Sequence, residues 1–275
     1  MTQTTIEPEY DAWLARYGAA SSPGVLAPPI TRLLEHCSVR AYQPRPVEDG
    51  VLVQAIAAAQ SASSSSNLQA WSVVAVRDRA KLARLAELAG GQRHVAQAPL
   101  FLAWIVDWSR LRRIGAAQQR PTLGIDYLES YTVGVVDAAL AAQNAAVAFE
   151  ALGLGLVYIG GMRNHPEKAA AELGLPDGCF ALFGMCVGYP DPAKPASIKP
   201  RLPQAVVLHH ERYDAGRDAD AVRAYDEKMV AFQREQGRDD RPWSRASAER
   251  VGGPDALMGR DRLREALNNL GFPLL

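Results

Sequence analysis

Apolar and polar residues alternate at two different periods along this chain, and the switches between them mark its elements. From Glu48 to Ser61, Val51, Leu52, Ala55, Ile56 and Ala59 recur at helical spacing, which predicts a helix. Asp78 to Leu88 predicts another, stopped by Gly90-Gly91. Ser72 to Val76 and the apolar run Ala98 to Asp107 read as strands. Thr132 to Leu152 is rich in Ala and apolar almost all round, so it predicts a core helix that must be covered on every side. The chain itself could cover it, or a second copy could do so in a symmetric dimer. A strand follows that ends at Gly160-Gly161, then a helix over Pro166 to Leu173 stopped by Gly174, and a strand over Cys179 to Gly188. Tyr189 to Pro203 is a proline-punctuated connector, and Asp218 to Gln236 is an amphipathic helix through Val222, Tyr225, Met229 and Phe232. A charged loop, Gly237 to Trp243, precedes a final helix predicted over Asp261 to Leu275. Arg110 to Arg120 is basic and polar and reads as a mobile loop. Residues 1–30 read as a peripheral leader with one short helix around Tyr10 to Tyr17, closed by Pro28-Pro29 before a helix from Thr31.

With 275 residues the chain forms one large domain or two small ones. Its thirty basic and thirty acidic residues cancel to a net charge of +0, which removes the basic excess expected of a nucleic-acid binder. Cys37, Cys179 and Cys186 are odd in number and show no C-x-x-C spacing, arguing against a disulfide framework or a zinc site and for a reducing, cytoplasmic setting. Glu7, Glu9 and Asp11 are wrong for a signal peptide, and Asp137, Gln143, Asn144 and Glu150 are wrong for a membrane span.

Several stretches carry candidate chemistry. His36-Cys37-Ser38-Val39-Arg40 offers imidazole, hydroxyl and guanidinium donors suited to a phosphate, although a helix end with a surface arginine has the same composition. Ser61 to Trp71 contains four consecutive serines, Ser63 to Ser66. It reads equally as a flexible linker or as a loop that hydrogen-bonds a hydroxyl-rich ligand. Gly153 to Arg163 lacks the G-x-G-x-x-G spacing of a dinucleotide fingerprint; its Gly160-Gly161 pair suits close approach of a flat ligand. Lys199-Pro200-Arg201 could form the other half of an anion clamp or a solvated basic turn. His94 and Arg93 read more simply as surface charges near a glycine bend.

Taken together in this order, the motifs resemble the FMN-dependent nitroreductase family, in its NADPH-preferring flavin-reductase and oxygen-insensitive nitroreductase branch. The resemblance runs from about Thr31 to Trp243. It rests on His36-x-Ser38-Val39-Arg40, the Ser63 to Gln69 run, Gly90 to Ala98, Val135 to Ala145, Gly153-Leu154-Gly155-x-x-Tyr158-Ile159-Gly160-Gly161-x-Arg163, Leu182-Phe183-Gly184, and Lys199-Pro200-Arg201-Leu202-Pro203. It implies an α+β fold, a three-layer αβα arrangement with a mainly antiparallel sheet flanked by helices. Residues 1–30 would form a leader, and residues 31–275 an FMN-binding domain whose C-terminal excursion packs on the partner of a homodimer. FMN would lie at the subunit interface, its phosphate held by His36, Ser38, Arg40, Lys199 and Arg201. Ser63, Ser65, Asn67 and Gln92 would reach the ribityl chain and ring edge, and Ile159, Gly160 and Gly161 would line the ring. Glu129 and Arg163 fall on the substrate side, and Arg238 and Arg241 are candidates for the extra phosphate of NADPH. Cys37 departs from the family pattern, which usually has Arg there, and Asn67 stands where this branch is often aromatic.

The resemblance implies an enzyme with no catalytic acid, base or nucleophile of its own and no metal. Hydride from NADPH would reach flavin N5, and a nitroaromatic, quinone or related small acceptor would take both electrons in the second half of an alternating cycle. A dedicated reductase of free flavin, a flavin-binding sensor without turnover, and a dehydrogenase on the same fold are the alternatives. No nucleic-acid or membrane partner is expected.

Overall fold

The computed structural model describes residues 8–18 and 25–275. The chain forms two compact units. One comprises Met1–Cys37 with Ser197–Leu257, the other Ser38–Ala196 with Met258–Leu275. The first begins with α1 (Pro8–Tyr17) and α2 (Pro28–Leu34). Pro28 and Pro29, expected to close the leader, instead open α2, because a proline in the first turn has no intrahelical N–H to lose and a φ already set for helix.

The second unit follows in chain order: α3 (Asp49–Gln60), β1 (Trp71–Val76), α4 (Arg79–Leu88), α5 (Arg93–Gln97), β2 (Leu100–Asp107), α6 (Ser109–Ala117), α7 (Leu128–Ala151), β3 (Gly155–Ile159), α8 (Pro166–Leu173) and β4 (Cys179–Gly188). Asp78 caps α4 by accepting from Lys81 N at 2.7 Å, which fixes a start the sequence pattern placed one residue early. The segment expected as a mobile loop, Arg110 to Arg120, is mostly α6. Its arginines are held, Arg112 by Asp126 at 2.8 Å and Arg110 by the carbonyl oxygen of Gln69 at 3.0 Å.

The sheet order is β1-β2-β4-β3 and every strand pair is antiparallel. Alternation along β2 sends Leu100, Leu102 and Trp104 to a face covered by α3 and α7. Phe101, Ala103 and Ile105 go to the opposite face, under α4, α5 and α8. A bulge opposite Trp104/Ile105 inserts Leu182 into β4 and switches its parity, so Cys179 and Ala181 share a face with Cys186. This is the expected three-layer α+β arrangement. Within α7, Ala138, Ala141, Ala142, Ala145 and Phe149 are fully buried, while Val136 and Leu140 are 49% and 43% exposed. Its core face is therefore covered within the chain and another face is left open.

The chain returns to the first unit through α9 (Gln204–Val207), α10 (Ala219–Glu235) and α11 (Trp243–Arg250), where Tyr225, Met229 and Phe232 pack with Leu202 and Trp243. It ends in the second unit with α12 (Leu263–Asn269). The final helix is shorter than expected, because Gly271 at φ +86° turns the tail into an extended strap. Leu275 N donates to Asp126 O at 2.9 Å and Leu128 N to Leu275 O at 3.1 Å.

Candidate functional site

In the second unit, the Ser38-Val39-Arg40 part of the phosphate-like motif runs beside an edge of the sheet. Val39 N donates to Leu156 O at 2.9 Å, and Ser38 bridges Leu156 in parallel. A Cβ on Gly155 would lie 2.4 Å from Val39 Cγ2, so the approach requires glycine there. With Val39 turned inward, Ser38 and Arg40 are turned out and exposed. Tyr42 Oη donates to Val39 O at 2.7 Å, and burial pushes its phenol well above the ordinary range, keeping it a donor. The Arg40 guanidinium has one long contact, 3.4 Å to Ser38 O, and no carboxylate pairs with it among the described residues. His94 is half-buried with an unpartnered, buried Nε2. Burial first, and Arg40 second, lower its pKa, so it is neutral at pH 7.

Asp137 decides the serine stretch. It is 2% exposed on α7, and its Oδ2 accepts from Ser64 Oγ at 2.7 Å and Ala70 N at 3.1 Å, while Oδ1 accepts from Ser65 N at 3.1 Å. Ser64 Oγ in turn accepts from Gln69 N at 2.8 Å. Ser66, Asn67 and Gln69 take φ of +49°, +54° and +50°, left-handed values that cost non-glycine residues energy and persist only where the surroundings impose them. The loop is a pinned structure, not a linker, and it presents Ser63, Ser65 and Asn67 to solvent. A cavity of about 600 Å³ opens beside it, lined by Asn67, Gln69, Trp71 and Arg110 among others.

Gln92 Nε2 donates to Ala89 O at 2.7 Å, closing the end of α4. Gly161 faces the same place. A Cβ there would lie 2.3 Å from Ala89 O and 2.8 Å from Gln92 Nε2, so its bareness serves the chain's own packing. A Cβ on Gly160 would lie 3.3 Å from Arg163 Nη2, and Arg163 Nη1 donates to Leu182 O at 2.5 Å. Ile159 is buried, and Glu129 is exposed in the first turn of α7. The Gly160-Gly161 turn and the serine loop lie at one end of the sheet but at opposite edges, three inter-strand steps or about 14 Å apart.

In the first unit, His36, Lys199 and Arg201 come together around Arg16. Lys199 and Arg201 line a cavity of about 700 Å³ with Tyr17, Tyr225, Trp243 and Arg241. Arg241 is already answered, by Asp239 at 2.8 Å and Glu249 at 2.6 Å, bonds that hold its pKa above the ordinary arginine value. Arg238 has no side-chain partner of this kind among the described residues. No cluster of metal-ligating groups occurs among them either. The sequence pattern did not single out Asp137 or Arg16 as site residues. Each is a charged residue that the structure buries, and only three-dimensional partners reveal it.

The sheet-bearing unit is thus a three-layer α+β fold with Ser38 and Arg40 exposed at its edge, and the other unit groups His36, Lys199 and Arg201 around Arg16. Residues 33–189 match the nitroreductase family and residues 199–275 its C-terminal domain. The chain belongs to the nitroreductase family. It is 40% identical over 221 residues to the oxygen-insensitive NADPH nitroreductase of Salmonella typhimurium, covering 80% of this chain and 89% of that one. It is 37% identical to the NADPH-flavin oxidoreductase of Vibrio harveyi over 88% of this chain and 97% of that one. Among solved structures, nitroreductase A of Vibrio parahaemolyticus superposes with a TM-score of 0.80 at 35% identity, covering 90% of this chain and 99% of that one. The NADPH:FMN oxidoreductase of Vibrio harveyi complexed with NAD+ gives 0.78 at 36%, covering 89% and 98%.

Proposed function

We propose that this chain is an FMN-dependent NADPH oxidoreductase acting on nitroaromatics, quinones or related small acceptors. Bound FMN supplies two-electron transfer between NADPH and the acceptor. The observation that carries the reading is Arg40, held outward on a fixed sheet edge with its charge unanswered by any described carboxylate. This fits a phosphate ligand, because a guanidinium offers paired N–H donors to a dianion. The wider donor set has the same chemistry: Ser38 and Arg40 in one unit, His36, Lys199 and Arg201 in the other. Ser63, Ser65 and Asn67, on a loop already fixed by Asp137, are preorganised to donate to a polyhydroxylated chain without further loss of backbone entropy. Gln92, Gly160 and Gly161, with Ile159 buried beside them, would form one wall for a planar ring. Glu129 and Arg163 flank the substrate side, and Arg238, the less compensated of the loop arginines, is better placed than Arg241 to meet the 2′-phosphate of NADPH.

The active form is a homodimer. Val136 and Leu140 on α7, with Val53 on α3, leave apolar side chains exposed, and a two-fold partner would cover them. The opposite-edge placement supports the same reading, since one subunit's serine loop can complete the other's Gly160-Gly161 wall. The segment 197–257 would pack on the partner, and the absence of a disulfide among the described cysteines fits a cytoplasmic location. Reduction of free flavin is a second reading of the same site, supported by the Vibrio harveyi relative's name. Anaerobic mixing of FMN-loaded protein with NADPH tests the proposal. Rapid bleaching of the flavin absorbance is expected, and an unchanged spectrum would overturn it. Acceptor turnover by the pre-reduced protein, with nitroaromatic against free flavin, separates the two readings.

A further inference from the structure

Arg16 lies on α1, outside both stretches that match the family (33–189 and 199–275). It is a guanidinium only 5% exposed. Its Nε donates to Leu34 O at 2.8 Å, Nη2 to His36 O at 2.5 Å, and Nη1 to Lys199 O at 3.0 Å. Its own carbonyl accepts from Arg201 N at 3.0 Å. One residue thus brackets two backbone segments separated by some 160 positions of sequence, and both carry side chains assigned to phosphate. Lys228 Nζ ties the end of the same helix by donating to Tyr17 O at 2.9 Å.

Burying a guanidinium is costly unless its donors are used, and a rigid planar fork that reaches three carbonyls on diverging segments is something lysine cannot reproduce. The carbonyl of His36 and the backbone of Lys199 and Arg201 have no helix or strand of their own to hold them. We propose that Arg16 is a positioning residue for the phosphate-binding side chains: it fixes the backbone at His36 and at Lys199–Arg201, so that the leader helix is a working part of the cofactor site. The inference rests on the reading that Lys199 and Arg201 hold the FMN phosphate.

The test compares FMN with riboflavin, which is the same ring and ribityl chain without the phosphate, binding to apoprotein by quenching of flavin fluorescence. R16Q should weaken FMN by about tenfold, the scale seen when an outer support of a ligand is removed, and leave riboflavin within about twofold. R16K keeps the charge and the stem but loses the fork, and should show the same phosphate-specific loss; it serves if R16Q does not fold. R201A is the parallel measurement. If R201A loses FMN selectively while R16Q and R16K weaken both ligands equally or neither, the positioning role is overturned and the phosphate reading stands. If R201A leaves the preference for FMN over riboflavin intact, the phosphate reading itself falls and takes the inference with it.

Discussion

At the scale of single residues, the two charged groups that organise the candidate site do so through the backbone. Asp137 accepts from two N–H groups and one hydroxyl, and Ala70, whose N–H is among them, is fully buried. Asp137→Ala strands those donors, and a buried donor left unmade costs about 1–3 kcal/mol, so a loss of about 2–4 kcal/mol in urea unfolding is expected. The released loop should also relax from its left-handed angles, and hydrogen exchange at Ser65 and Ala70 should accelerate. Arg40 behaves oppositely, because it is exposed and, on the proposed reading, its partner is the ligand. Arg40→Ala should weaken FMN retention by about 1.5–3 kcal/mol, the range for a hydrogen bond to a charged group, with little change in the stability of the apoprotein. Unaltered flavin occupancy after gel filtration would remove Arg40 from the phosphate site. Arg40 was legible in the sequence because it sits inside a short motif. Asp137 was visible as a residue that a membrane span would not tolerate and as one position of the Val135 to Ala145 motif, but its role was not, since its partners lie 67 to 73 positions away.

At the scale of elements, periodicity located the strands and the long helices because burial on a sheet face or helix face leaves a local trace. It failed where the decisive contact was distant or where composition misled. Arg110 to Arg120 looked like a loop because its residues are basic, yet α6 forms because Asp126, Gln69 and Asp107 supply partners for those charges. The leader looked peripheral because Ser21 to Gly24 and Pro28-Pro29 interrupt it, yet Ala12 and Arg16 are buried. The bonds that bury Arg16 reach as far as Lys199, 183 positions on. Length and apolar composition alone would let α7 span a membrane, but its buried alanines are packed on the sheet, with another face left open. That open face makes a prediction of its own. Val136→Glu with Leu140→Glu should convert dimer to monomer in sedimentation velocity and release FMN, while the far-ultraviolet spectrum stays unchanged because neither side chain belongs to the core. A dimer that survives both charges would place the interface elsewhere.

At the scale of the molecule, the C-terminal segment Met258–Leu275 returns to the sheet-bearing unit, and a carboxylate helps to hold it there. Glu167 on α8 accepts from Arg262 at 2.8 Å and 3.1 Å and from Asn269 at 3.2 Å. The Arg262 hydrogen bonds, only partly opposed by burial, hold the Glu167 pKa at about 2 against an ordinary value of 4.5. A carboxylate whose folded pKa is depressed binds its proton more readily in the unfolded chain. Its contribution is therefore complete above pH about 4.5 and is lost as pH falls toward about 2. Asp107 has the same sign: burial opposes ionisation, but hydrogen bonds from Ser72, Ser109, Cys179 and Arg110 N outweigh it and lower the pKa. His94 adds to the trend from higher pH, because a half-buried imidazole with a lowered pKa resists the proton that the unfolded chain accepts from about pH 6.5 downward. Acid should thus erode stability in stages, His94 first and the carboxylates later. Glu167→Gln isolates one stage. Its melting temperature should lie below that of the unchanged protein at pH 7, and the gap should close as the pH is lowered from 4.5 toward 2, where both proteins carry a neutral side chain at 167. A gap of constant size across that range would mean that the charge of Glu167 does not fasten the C-terminal segment.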